Sequence, residues 1–462
     1  RCMDARGGPE EVSPENMASE TSMGGRSADM ACPLAVGHQN RNLVRFALHK
    51  SLIYLAAPVV YIGNLDAVLL NRLGHSDTVA NLPASAYAWT TAPFLVLFTW
   101  YFCRVRMLKP VLVASYAVMA GGGLIAAAGL LRPESRWLVA ALAAHAILTG
   151  WAGGVVGVFE WEILARGVAE QRRGLALSLA FGVGPLMAVV SSLGTQLVLD
   201  GKLGPFVVGR FNFPRDYLVL FGVSVLILAI PAFSATRYTV PLPDAEVSRQ
   251  KLISGVFGGL GGFFKNRLLL LAAIAFLLVT VGSSMILPNV ALYTKEVLGE
   301  EPQAYAGYQF ALQFGFKTVA GLLLGWLLVR THPRAGVTAT TLLSFTGLVW
   351  ALWVPGKWYL VTFGILGAGE LYGVYYPNYL VCCSPASQVR RNLAYAQLLA
   401  LPVSVAPLIY GMISDSYGLR ISVETAAVLL LGTILLIQLA LPRRPGIAPS
   451  DGISPETVIA EN

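Results

Sequence analysis

The 462-residue sequence predicts an all-α integral membrane fold of twelve transmembrane helices, paired off as two six-helix pseudo-repeat bundles. Three observations carry that prediction. Hydrophobic residues make up 55% and charged residues 13% of the chain, against about 25% charged in an ordinary soluble domain. A soluble fold of this size would have too few charges to cover its surface. The apolar residues also arrive in blocks of about 20, the length that crosses a hydrocarbon core as helix, and helix satisfies its own backbone polar groups there. Finally, Arg172-Arg173-Gly174-Leu175-Ala176-Leu177 is echoed 218 residues later by Arg390-Arg391-Asn392-Leu393-Ala394-Tyr395, at the same place in the second six-helix half. Parallel six-helix repeats are an established way of building transporters.

The apolar segments run at 51–72, 82–103, 110–131, 137–163, 175–198 and 216–234, then at 268–290, 305–329, 336–354, 358–381, 393–413 and 421–441. Residues 1–47 are polar and lack an apolar run, so they are expected as a disordered cytoplasmic tail and not a signal peptide. The units that follow are a bundle at 48–234, a cytoplasmic linker at 235–266, a second bundle at 267–441 and a tail at 442–462. Orientation comes from Lys and Arg. With both ends inside, the inner loops and flanks hold 20 of them and the outer loops nine, which is the bias expected of a protein in a cell (inner or plasma) membrane with cytoplasmic termini. The formal charge of +8 is spread over those short loops, which leaves no nucleic-acid footprint. The five cysteines form no pair of CxxC motifs and no disulfide framework.

Gly150-Trp151-Ala152-Gly153-Gly154 in the fourth helix, Gly182-Val183-Gly184-Pro185 in the fifth, and the GxxxDxxGxR spacing from Gly411 through Asp415 to Arg420 together resemble motifs of the major facilitator superfamily. The resemblance spans about residues 48 to 441 and marks a divergent member. The loop after the second helix, Cys103 to Lys109, is basic but lacks that family's Asp and Gly. The resemblance implies alternating access between two halves, with the first helix lining a central cavity and often carrying a coupling carboxylate.

The ionisable residues inside the spans are the candidates for chemistry. Every Lys or Arg but one belongs to a loop or tail. The exception is Lys317, mid-way along the eighth helix, where a charge costs about 2.5–3.5 kcal/mol on insertion scales. Gln309, Gln313 and Lys317 recur at i, i+4, i+8 and so share one face. Glu370, at similar depth in the tenth helix, stands among Gly367, Gly369, Tyr372 and Gly373, which permit close contact or local unwinding. Two arrangements fit: an ion pair with Lys317, static or functional, or a neutral Glu370; either suits proton coupling. Asp66 reads equally as a coupling carboxylate or a helix-end residue. Asn289, Tyr376 and Asn378 complete the candidate solute and ion site. Tyr87, Trp89, Tyr293, Tyr305, Tyr308, Tyr375 and Gln397 are further polar positions in cavity-type helices.

Glu160, Glu162, Arg172, Arg173, Arg390, Arg391 and Asp415 are gate candidates. For Glu160 and Glu162 the alternative is an interfacial ion pair that pins a loop. His145, within the fourth helix, reads as a satisfied core histidine or a proton relay. No catalytic residue, metal site or cofactor is expected, and no P-loop points to an ATP-driven pump. The sequence thus predicts a non-enzymatic secondary transporter, coupled to protons, for a small polar or anionic organic solute. Its partners are that solute, protons and the bilayer. A non-transporting sensor or assembly factor on the same fold, or a membrane-embedded transferase, are the alternatives. The solute, the direction of transport and the oligomeric state are left open.

Overall fold

The computed structural model describes residues 34–102, 108–133, 136–209, 211–241, 258–384, 388–399 and 401–445. At some further positions, among them Glu160, Arg173 and Arg390, only the backbone is described. The basic loop after the second helix (103–107), half of the expected linker (242–257) and most of both expected tails lie outside the described residues, as do Cys2, Cys32 and Cys103.

Among the described residues, the longer helices group into twelve segments along the chain. In the first half they are α1 (Val36–Leu55, continued by Ala57–Val60 and Asn64–Arg72), α2 (Leu82–Phe102), α3 (Leu108–Gly129), α4 (Arg136–Gly167), α5 (Glu170–Asp200) and α6 (Arg215–Ala235). In the second they are α7 (Arg267–Ser283 and Leu287–Leu298), α8 (Ala306–Arg330), α9 (Pro333–Trp353), α10 (Val361–Gly369 and Tyr372–Cys382), α11 (Val389–Leu398 and Ala406–Tyr417) and α12 (Leu419–Ala440). Among the described residues, nine helices are long and apolar enough to cross a membrane. A short hairpin, β1 (Lys202–Leu203) with β2 (Phe206–Val207), joins α5 to α6.

Four helices are interrupted, and their sequences say why. Proline lacks an N–H and opens a helix better than it continues one. It stands at the start of the second piece of α1 (Pro58), of α7 (Pro288) and of α11 (Pro407). Gly63 takes φ 140 in the α1 break, a conformation that disfavours any side chain. The break that begins at Tyr61 in α1 has its counterpart at Ser284 in α7, an offset close to the 218 residues of the sequence repeat. Broken helices at membrane depth are tolerated where they line a cavity.

The start of α1 corrects the expected boundary of the N-terminal tail. Residues 36–47, read as tail, are helical and tied down by amides where apolar contacts are few. Asn42 donates to the Gly167 carbonyl at 3.2 Å and the Thr239 carbonyl at 2.7 Å, and accepts from the Thr239 amide at 3.1 Å. Gln39 accepts from the Ala169 amide at 3.1 Å. Phe46 packs in a small cluster with Leu43, Val168 and Ala180.

The two halves meet along α5 and α8, and where α1 touches the outer piece of α7. The hydrogen bonds identified between the halves lie toward the face opposite the chain's two ends. Asp415 accepts from the amides of Asp77 at 2.8 Å and Thr78 at 3.1 Å and from the Thr78 hydroxyl. Asn81 Nδ2 donates to Asn289 Oδ1 at 2.6 Å. Ser85 donates to the Ser404 carbonyl at 2.8 Å, and Gln196 to the Ala304 carbonyl at 2.7 Å. This face is closed.

Candidate functional site

Below the closed face, a cavity of about 370 Å³ lies between the halves, bounded by α1, α2, α7, α8, α10 and α11. The first half contributes Tyr61, Asn64, Tyr87 and Thr91 from α1 and α2. The second contributes Ser284, Gln313, Lys317, Glu370, Tyr372 and Gln397. Among its lining residues, Lys317 and Glu370 are the two that carry charge.

These two touch. Lys317 Nζ donates to Glu370 Oε2 at 3.0 Å, and Gln313 Nε2 donates to Glu370 Oε1 at 2.7 Å. The contact exists because α8 and α10 approach closely. Gly367 on α10 faces the backbone of Gln313 so tightly that an added Cβ would strike its carbonyl. Glu370 itself sits in the break of α10, between the pieces that end at Gly369 and resume at Tyr372. A carboxylate there can turn towards α8 without competing with a regular helical turn. Of the two arrangements open in the sequence, the ion pair is the one adopted. Phe314, one residue after Gln313, stands edge-on to Tyr54 (5.9 Å) and Tyr61 (5.2 Å) of α1, which bring the first half up to the pair. Tyr54 and Tyr61 stack at 6.4 Å.

The other expected site residues divide. Gln309 is buried on the same face of α8 but bonds Thr294 at 3.0 Å, away from the cavity lining. Asn289 bonds Ser414 at 2.7 Å, Ser422 at 2.9 Å and the Tyr410 carbonyl at 3.1 Å while accepting from Asn81. It is therefore part of the closed face and not a residue that a solute in the cavity would touch. Tyr376 is buried against Thr341, its hydroxyl 2.8 Å away, inside the second half. Asn378, two residues further along α10, is half-buried and also outside the lining. Asp66 is buried in the first turn after Gly63 and lies outside the lining too. Trp89, expected near the cavity, is 56% exposed on the outer wall of α2.

Among the gate candidates whose side chains are described, Asp415 makes hydrogen bonds across the halves. Glu162 pairs with Arg166 one turn further along α4, the loop-pinning alternative. The side chains of Glu160, Arg173 and Arg390 lie outside the described residues. Arg172 Nη1 and Arg391 Nε are buried without a hydrogen-bond partner among the described residues, and Arg391 packs on Gly259. His145 is buried, 3.2 Å from the Val59 carbonyl and 3.3 Å from Thr149, which is the satisfied-core reading.

Sequence reasoning missed the partners that close the far face. Asp77, Thr78 and Asn81 were read as loop, since a short polar stretch between two spans carries no periodicity. It also missed Tyr54 and Tyr61, whose spacing of seven residues on α1 was a usable signal.

Comparison with known proteins agrees with this architecture. Among solved structures, a D-xylose–proton symporter matches with a TM-score of 0.63 at 13% identity, over 89% of this chain and 99% of that one. The nucleoside transporter NupG matches with 0.63 at 10% identity, over 86% and 98%. The fucose:proton symporter of E. coli matches with 0.57 at 14% identity, over 86% and 98%. At such identities the likeness concerns the fold alone. No curated protein sequence matches the chain. The Major Facilitator Superfamily model, however, matches residues 48–395, from the first helix into the eleventh. Twelve helical segments, a cavity between two halves and that match lead to one conclusion: the chain belongs to the Major Facilitator Superfamily.

Proposed function

We propose that this protein is a secondary transporter that moves a small polar or anionic organic solute by alternating access, driven by protons. It sits in the cell membrane with both ends in the cytoplasm, the side favoured by its Lys and Arg bias. The closed face then looks outward, and the structure corresponds to a state sealed on that side. The observation that carries the reading is the Lys317–Glu370–Gln313 cluster in the cavity between the halves. An ion pair at membrane depth is costly to keep and marks a transport path or proton site more often than a scaffold. Glu370 is the proton acceptor. Protonation would release Lys317, loosen the hold of α10 on α8 and change what the cavity can bind. Asp415, with Asn81 and Asn289, forms the outer gate that must part in the opposite state.

The test is uptake into proteoliposomes of pooled labelled sugars, nucleosides, amino acids and organic acids, with and without an inward proton gradient. Gradient-dependent accumulation of one class, lost in Glu370→Gln and in Lys317→Ala, is expected. Accumulation of no class under either gradient direction would leave the sensor reading in its place.

A further inference from the structure

The chemistry around Glu370 narrows the solute class, on the footing of the transport reading above. Both carboxylate oxygens are engaged, one by Lys317 Nζ and the other by Gln313 Nε2. Gln313 Oε1 is buried and has no hydrogen-bond partner among the described residues. An ionised carboxylate only accepts hydrogen bonds, so the amide has to present its nitrogen. A protonated Glu370 reverses that demand, because its O–H donates. A half-turn of the Gln313 amide then brings Oε1 round to accept, and the orphaned atom finds its partner. Gln313 can therefore hold either protonation state of Glu370.

The same proton strips Lys317 of its counter-charge. No other carboxylate lines the cavity. The titratable groups that face the pair or share its cavity are phenols, Tyr54 and Tyr61 of α1, Tyr87 of α2 and Tyr372 of α10, and none of them supplies a second carboxylate. A buried cation without a partner is strongly unfavourable. The protonated state is thus populated when the entering solute itself supplies a negative charge.

We propose that the transported solute is an organic anion bearing one carboxylate-type group, which takes the place of Glu370 at Lys317 and binds together with one proton. The charges balance. Before binding, Lys317 and Glu370 cancel; afterwards Glu370 is neutral and Lys317 is paired with the solute anion. The loaded cavity carries no net charge through the membrane. The rest of the lining suits the body of such a molecule. Asn64, Thr91, Ser284 and Gln397 offer uncharged hydrogen-bonding groups, while Tyr61 and Tyr87 offer ring faces.

Solute charge sets the sign of the pH dependence, which makes the proposal testable. Anion binding strengthens as pH falls, a cation would weaken, and a neutral solute sitting beside an intact pair would show no slope. The experiment is equilibrium binding of labelled lactate, benzoate and gluconate to the purified full chain across a pH series. Glucose and uridine serve as uncharged probes and choline as the cation. At least one carboxylate should bind, with affinity rising about tenfold per pH unit as pH falls, the slope for one linked proton. Glu370→Gln should bind it at all pH values as tightly as the wild type does in acid, with no slope. Lys317→Gln combined with Glu370→Gln leaves no unpaired charge and should stay monodisperse while losing carboxylate binding. Binding of no carboxylate, a flat profile in the wild type, or carboxylate binding retained in the double variant would each overturn the proposal. Gradient-driven uptake of glucose or uridine with a flat binding profile would overturn it too, yet leave the transport reading standing.

Discussion

Two ion pairs in this molecule have the same length and opposite surroundings. Arg72 Nη1 and Asp216 Oδ2 stand 3.0 Å apart where α1 meets α6, and Lys317 and Glu370 stand 3.0 Å apart between α8 and α10. Asp216 is fully buried, its second oxygen accepts from the Tyr217 amide at 2.9 Å, and the Arg72 guanidinium lies 4.5 Å over the Phe213 ring. Neither residue lines the cavity. The Lys317–Glu370 pair does, and beside it lies Gln313 Oε1, which has no hydrogen-bond partner among the described residues. Distance alone would rank the pairs as equals. What distinguishes them is whether the surroundings offer an alternative partner once the pair breaks. The Arg72–Asp216 pair lines no cavity and acts as a clamp, whereas the Lys317–Glu370 pair faces a cavity from which a solute could replace one partner, so that pair can act as a switch.

The largest effect should come from breaking the clamp. Asp216→Ala leaves Arg72 without its carboxylate and should cost about 3–5 kcal/mol of stability, seen as a lowered melting temperature and a poor yield of monodisperse protein. A transport defect at normal stability would mean that this pair, too, belongs to the mechanism. Next is the glycine that lets α8 and α10 meet. Gly367→Ala places a methyl against the Gln313 carbonyl and should cost about 1–3 kcal/mol as overpacking. Because the helices must spread, it should also weaken proton-driven uptake, whereas an unchanged uptake rate would show that the close approach is dispensable.

The proposed outer gate is wetter, and its effects should be smaller. Asp415→Ala removes three hydrogen bonds to Asp77 and Thr78, and in this exposed setting should shift closure by about 1–2 kcal/mol. Spin labels at His75 and Tyr417 would report the change as a larger fraction of long distances. The gate should also respond to pH. Burial, with the nearby carboxylates of Asp415 and Glu296, pushes Asp77 up to about 6, against a hydrogen bond from Asn71 that pulls it down. When the face opens, Asp77 returns towards its ordinary range, so the closed state holds that proton more tightly. Closure should therefore weaken as pH rises from about 4 to 6 and level off above that, and Asp77→Asn should abolish the trend. The smallest effect is expected at Arg420, the last residue of the GxxxDxxGxR run. It pairs with Glu424 on the surface, at 2.9 Å, and Arg420→Ala should leave the melting temperature unchanged within error.

Much of this architecture was legible in the sequence because a bilayer imposes strong constraints. Block length and Lys/Arg placement needed no tertiary information, and each expected span falls on one helical segment, though α1 begins 15 residues before and α7 ends eight residues after the expected bounds. Lys317 and Glu370 stood out for the same reason: a charge inside an apolar block has few explanations. That they touch was only half visible, since Gly367 suggested a close approach without saying to which helix. Asn289, Tyr376 and Gln309 look alike in sequence, as polar residues on apolar helices. Only packing decides that Asn289 faces Asn81 across the halves, that Tyr376 faces Thr341 within one half, and that Gln309 turns to Thr294. The first turns of α1 were misplaced because amide-to-backbone contacts hold them, and such contacts leave no hydropathy signal.

The central claim is that Glu370 carries the coupling proton, and one measurement addresses it most directly. Accumulation of the transported solute against its gradient would be compared with its one-for-one exchange across the same proteoliposome membrane, in wild type and Glu370→Gln. Loss of proton-driven accumulation with exchange retained is the predicted result. Accumulation that survives in Glu370→Gln at the wild-type level would contradict it and return the pair to a structural role.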